Sequence, residues 1–160
     1  TVIAACRHAF RLPADSPSLQ VICANARDWV ADAQHGASVQ VLNVDLYDHE
    51  AAAPVLDSLA FYADCRRVLA PGGLMTVNLF GRDASFAESA RKIVVAFGAQ
   101  QTWCLRPTKE GNTVVVAAAG VEVPDREDLT QRAATIEQRW GLPARKWLRM
   151  VRPISELINP

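Results

Sequence analysis

The sequence has no apolar run near the ~20 residues that a membrane-crossing helix needs. It has no C-x-x-C pair and no histidine pair beside its cysteines, so a disulfide framework or a zinc site finds no spacing to support it. It has no signal-peptide pattern, because Arg7, His8 and Arg11 are mixed into the N-terminal residues without a cleavage site. It has no basic stripe, with 17 Lys and Arg against 17 Asp and Glu, which argues against nucleic acid as a partner. Repeats and low-complexity stretches are absent too. The four cysteines, Cys6, Cys23, Cys65 and Cys104, are scattered in apolar contexts. They read as buried free thiols of a reducing compartment, which implies a cytoplasmic protein with no metal centre and no membrane partner.

What remains is a chain of 160 residues, half of them apolar, long enough for one domain with a real core. It opens on Thr1 rather than methionine, and Val2, Ile3, Cys6, Ala9 and Phe10 already fall at helical spacing. The chain therefore reads as a piece of a longer protein. Pro13 and the cluster from Asp15 to Ser18 end that helix. Leu19–Cys23 reads as a short strand, and Asn25 as the N-cap of a short helix to Ala33. Asp57 or Ser58 caps a helix to Leu69, with Leu59, Tyr62, Cys65 (or Arg66) and Leu69 as its stripe. Ala70-Pro-Gly-Gly73 stops it. Leu74–Phe80 is a buried strand, 86–97 a helix, and 101–105 with 113–119 a hairpin. A polar helix runs from Pro124 to about Trp140. Gly141-Leu-Pro143 breaks it, and a basic helix follows from Ala144 to Val151. Strand–helix alternation ending in a hairpin gives an α/β fold with a mostly parallel sheet.

The stretch with chemistry is Val39-Gln-Val-Leu-Asn-Val-Asp45-Leu-Tyr-Asp48. Val39, Val41, Leu42 and Val44 suit a strand buried on both faces. Asp45 and Asp48 stand where it ends, the edge at which open α/β sheets bind ligands. The plain alternative is a loop acid and a helix cap, since such loops are rich in Asp. Around them, His49 and Glu50 read as solvated loop residues, and Phe61 and Tyr62 as helix-to-sheet packing. Trp29 reads as core or ring stacking, and Asn78 as a partner for loop backbone. Arg145, Lys146, Arg149 and Arg152 read as a solvated face.

Val-Asp-Leu-Tyr-Asp48, then Ser58-Leu-Ala-Phe-Tyr62-Ala-Asp-Cys65, Leu69-Ala-Pro-Gly-Gly73 and Asn78 resemble the spermidine synthase family of polyamine aminopropyltransferases. The resemblance covers roughly residues 1–119 and implies the Rossmann-like fold of class I S-adenosylmethionine methyltransferases. It implies residues 1–120 as a partial domain of that fold, lacking the first two strands, and 121–160 as a C-terminal helical extension. It implies Asp45 as catalytic base, with Asp48 and Tyr47 binding the amine. The family's Gly-Asp-Ala, which contacts the adenine, falls on Ala24-Asn25-Ala26, so Asn25 and Ala26 become the cofactor-binding residues. Asn25 keeps one carbonyl acceptor and loses the charge. The family's proline after the second acid is replaced by the run from His49 to Ala51. The glycine-rich loop and the ribose-binding acid would lie upstream of Thr1.

The implied activity is aminopropyl transfer from decarboxylated S-adenosylmethionine to a diamine such as putrescine, with no metal. This stretch alone is expected to be inactive. The alternatives are a methyltransferase using S-adenosylmethionine and a non-catalytic homologue serving as a binding or assembly module. The implied strand order also leaves Leu19–Cys23 without a neighbour and Val39–Asp45 as an apolar edge, which either closes onto Leu19–Cys23 or pairs with another chain, and a homodimer is the expectation.

Overall fold

The computed structural model describes residues 2–46, 57–80, 84–109 and 111–158. Its centre is one five-stranded sheet with helices α3 (Leu59–Val68) and α4 (Ala84–Phe97) packed against each other beneath it. The strands are β1 (Val39–Val44), β2 (Leu69–Phe80), β3 (Thr102–Leu105), β4 (Asn112–Ala118) and β5 (Val151–Pro153), in the order β1-β2-β4-β3-β5. Only β1 and β2 are parallel, and the other three pairings are antiparallel. The sheet is therefore mixed rather than mostly parallel. The one parallel pair comes from the single β1–α3–β2 crossover, and the β3–β4 hairpin then inserts β4 beside β2.

Each helix forms because its apolar residues recur on one face. In α4, Phe86, Ala90, Ile93 and Phe97 are buried at spacings of three and four. In α3 the buried stripe is Phe61, Tyr62, Cys65 and Val68. Leu59 is exposed instead, and Leu69 already belongs to β2. Ser58 caps α3, its hydroxyl accepting from the Phe61 amide at 3.1 Å. These stripes meet Met75, Val77, Val115, Ala117 and Cys104 from the inner face of the sheet. Each fully buried large side chain contributes about 1.5–3 kcal/mol.

Pro71-Gly72-Gly73 does not precede the second strand. It lies inside it, as a bulge that shifts the register from Val39↔Leu69 to Val41↔Leu74. Gly72 takes φ 76°, and a Cβ on Gly73 would stand 2.9 Å from the Ala70 carbonyl and 3.0 Å from that of Val39. Backbone therefore approaches backbone here, which only glycine permits.

The N-terminal part departs from expectation. Helix α1 (Val2–Ala9) buries no residue. Leu19–Cys23 is not a strand, because the bridge among the described residues there joins Ser16 to Leu19 and residues 20–25 carry no ladder. Among the described residues no strand pairs with it, and Ile22 is 66% exposed. Cys23 is exposed and Cys6 half-buried, so only Cys65 and Cys104 are the buried thiols expected of all four.

At the other end, α5 (Arg126–Trp140) is capped by Asp125 and stopped by Gly141 in the left-handed conformation. The following helix α6 is shorter than expected, Ala144–Leu148. Val151–Pro153 joins the sheet instead, and Ile154 and Ile158, flanking and ending α7 (Ser155–Ile158), enter the core. No helix among the described residues is long and apolar enough to cross a membrane.

Candidate functional site

The carboxyl end of β1 is where the candidate residues meet, and strand alternation separates them there. Leu42 and Val44 pair with Met75 and Val77 on the inner face. Val41 and Asn43 pair with Leu74 and Thr76 on the outer one, where the Thr76 hydroxyl donates to Asn43 Oδ1 at 2.7 Å. Asp45 follows as the next step on the outer face. Asn78 Nδ2 donates to its Oδ1 at 3.2 Å, which fixes the carboxylate at the strand's end. Asn78 thus holds a side chain at the strand's end. Asp45 is exposed. Tyr47, Asp48, His49 and Glu50 lie outside the described residues.

Beside this strand end is a cavity of ≈ 380 Å³. It lies between the segment around Ile22 and β1, with α2 (Ala26–Ala31) and Phe61 as further walls. Asn25 and Ala26 line it, and so does Leu46, the residue after Asp45. Asp45 itself does not. The structure therefore places the expected nucleoside residues in one apolar hollow and the expected base at its margin. Trp29, Val30, Leu42 and Val44 supply the apolar lining, and Gln20, Asn25 and Asn43 the polar groups. That mixture suits a planar heteroaromatic ring with a few hydrogen-bonding edges.

Asn25 has a structural duty as well. Its side-chain oxygen accepts from the Arg27 amide at 2.9 Å and caps α2. One lone pair of the acceptor assigned to the adenine is thus engaged. The walls behind it are stitched together. Trp29 stacks on His35 with ring centroids 4.0 Å apart, and Arg67 of α3 donates to the carbonyls of Val30 and Asp32.

Sequence reasoning missed a second polar cluster. Asp57, the residue before the Ser58 cap, accepts from the Tyr62 hydroxyl at 2.9 Å on one oxygen. On the other it accepts from the Ser89 hydroxyl and from Lys92 Nζ, both at 2.9 Å. Lys92 also reaches Glu88 at 2.9 Å. Its hydrogen bonds to Asp57 and Glu88 hold the ammonium above its ordinary range, and burial pushes the Tyr62 phenol up. Asp57 is 32 residues from Ser89 and 35 from Lys92, so spacing could not show the contact. The signal present was that Asp57 and Ser58 competed for one cap, leaving one acid free. Among the described residues, no group of His, Cys, Asp and Glu is arranged to hold a metal ion.

A polyamine aminopropyltransferase of Chromobacterium violaceum is 27% identical over 142 residues, 88% of this chain and 53% of the relative. Over that span the chain is similar to polyamine aminopropyltransferases. No family model matches it. Among solved structures, a spermidine synthase in complex with the transition state analogue AdoDATO aligns with TM-score 0.63 and 21% identity, over 81% of this chain and 48% of that one. Human methyltransferase-like protein 13 in complex with SAH aligns with TM-score 0.72 and 18% identity, over 85% of this chain and 65% of that one. The fold is thus methyltransferase-like. The chain spans about half the length of the curated relatives it matches.

Proposed function

We propose that this chain is part of an enzyme that moves an aminopropyl group from decarboxylated S-adenosylmethionine to a diamine such as putrescine. The observation that supports it most is Asp45, held by Asn78 at a strand end beside an apolar cavity lined by Asn25 and Ala26. When bound, the sulfonium donor supplies an activated carbon and leaves as methylthioadenosine. The diamine is protonated at neutral pH and must shed a proton before its nitrogen can attack. Asp45 holds the ammonium and accepts that proton. Asp48 adds a second negative charge, and Tyr47 an aromatic wall for the alkyl chain. The cavity takes the adenine ring, with Asn25 using its amide group and remaining lone pair. Putrescine as acceptor, homodimerisation through the free edge of β1, and a cytoplasmic setting that suits the four free thiols belong to the same reading. So does inactivity of these 160 residues alone, because the resemblance puts the glycine-rich loop outside them.

Two other readings have specific support. The fit to a methyltransferase favours methyl transfer from S-adenosylmethionine. Asn25 serving as a cap, where the family has a charged contact, favours a non-catalytic homologue. The test joins the upstream half of the Chromobacterium violaceum relative to this chain and offers both sulfonium donors with putrescine. Aminopropyl transfer is expected, and Asp45→Asn should lower kcat by about 10²–10⁴. Methylation alone would favour the second reading, and activity indifferent to Asp45→Asn the third.

A further inference from the structure

We propose that Asp57 is a positioning residue for the cavity, setting Phe61 through Tyr62; the inference rests on the functional reading above for its link to turnover. The path is continuous in the structure. Ser89 and Lys92 of α4 bind one oxygen of Asp57, and the Tyr62 hydroxyl binds the other. Lys92 also donates to the Asp57 carbonyl at 3.0 Å, so backbone and side chain are both held. The Tyr62 ring meets that of Phe61 edge-on, with centroids 5.7 Å apart at 64°. Phe61 lines the cavity. Asp57 therefore ties the site's wall to α4, a helix that does not itself line the cavity.

The chemistry of the pairings explains why an acid is needed. Asp57 receives three donors on two oxygens, one of them cationic, while Ser58 does the capping. Tyr62 is 2% exposed, so its hydroxyl depends on a protein acceptor. Without Asp57, the phenol would turn toward another partner, and the ring edge that sets Phe61 would turn with it. Asn at position 57 keeps a carbonyl acceptor for Tyr62 and loses the ion pair. Tyr62→Phe does the reverse, since it leaves Asp57 tied to α4 and cuts the arm to Phe61.

The test is methyl and aromatic NMR on the whole chain. Asp57→Ala and Tyr62→Phe are both expected to shift the Phe61 ring and the methyls of Leu42 and Val44, and to leave Ile136 of α5 in place. Asp57→Asn is expected to restore most of the Phe61 shift. Ile154→Val, a core substitution between β5 and α7 that leaves the Asp57 hydrogen bonds intact, is the control for general destabilisation and should leave Phe61 unmoved. In the fused enzyme, Asp57→Ala should raise KM for the sulfonium donor about tenfold with kcat within twofold. Unmoved Phe61 and cavity methyls in both variants would overturn the proposal, as would an equal shift in the Ile154→Val control or an unchanged KM. A wild-type fusion without turnover counts against the functional reading alone, and the NMR shifts then decide the role of Asp57.

Discussion

Strands β1 and β4 are similar in sequence and opposite in fate. Val-Gln-Val-Leu-Asn-Val and Asn-Thr-Val-Val-Val-Ala-Ala are both rich in β-branched residues. Strand β4 lies between β2 and β3 and buries Thr113, Val115, Ala117 and Ala118. Strand β1 has β2 on one side only, buries Val44 alone, and leaves Val41 58% exposed. The propensity is the same, and the neighbours decide the burial. The same contrast holds for the flanking segments. The β5–α7 end brings Ile154 and Ile158 into the core, while α1 and residues 20–25 bury nothing.

The cysteines divide along this line and give the largest expected effect. Cys65 and Cys104 sit on the packed side, where burial pushes their thiols up to about 12 and about 11. Cys23 lies in the exposed segment. Timed alkylation with mass spectrometry should label Cys23 at least ~10³-fold faster, because the buried pair reacts only through opening of the fold. Comparable rates would mean that the packed side opens as readily as the other. The pH dependence follows in sign. These two thiols titrate above their ordinary value of 9.0 in the folded chain, so the stability they contribute is complete below pH 9. It is lost as pH rises toward 11 and 12, which denaturant midpoints measured from pH 8 upward should show.

Next in size is Met75→Ala. Met75 is wholly buried on β2, between the two flanks, and its loss should cost about 2–5 kcal/mol in urea unfolding. A cost under about 1 kcal/mol would mean that the centre of the sheet repacks freely.

How much of this was legible depends on how local the cause was. The Asn25 cap, the left-handed Gly141 and the stripe of α4 follow from residues a few positions apart, and each was readable. The acid at the end of β1 was readable too, because strand and loop signals adjoin at Asp45. The expected burial of β1 on both faces fails, since its sequence says nothing about who stands beside it. Leu19–Cys23 has strand propensity and no partner, so propensity misled. Strand β5 was hidden for the opposite reason. Val151-Arg-Pro153 has little propensity, yet β3 offers it an edge, with Cys104 opposite Arg152. Pro-Gly-Gly was read as a stop because glycine and proline punctuate chains. Its use as a bulge depends on the close approach of Val39, which only the fold supplies.

The smallest expected effect tests the free edge itself. Val41 points to the outer face of β1, and Val41→Lys should change monomer stability by less than about 0.5 kcal/mol, as exposed substitutions generally do. Its effect on association should be far larger. An apolar edge strand is a template for another chain, and a lysine there discourages pairing. If β1 joins two copies, sedimentation of the unsubstituted chain should show concentration-dependent dimers that Val41→Lys abolishes with its unfolding midpoint unchanged. Dimers that persist in the variant would place the contact elsewhere, and a wild-type chain that stays monomeric at high concentration would remove the homodimer from the reading. In either case the comparison sharpens, because β1 would then keep its exposed face without an apolar partner to cover it, and its polar neighbours Asn43, Thr76 and Asn78 would be what makes that face tolerable in water.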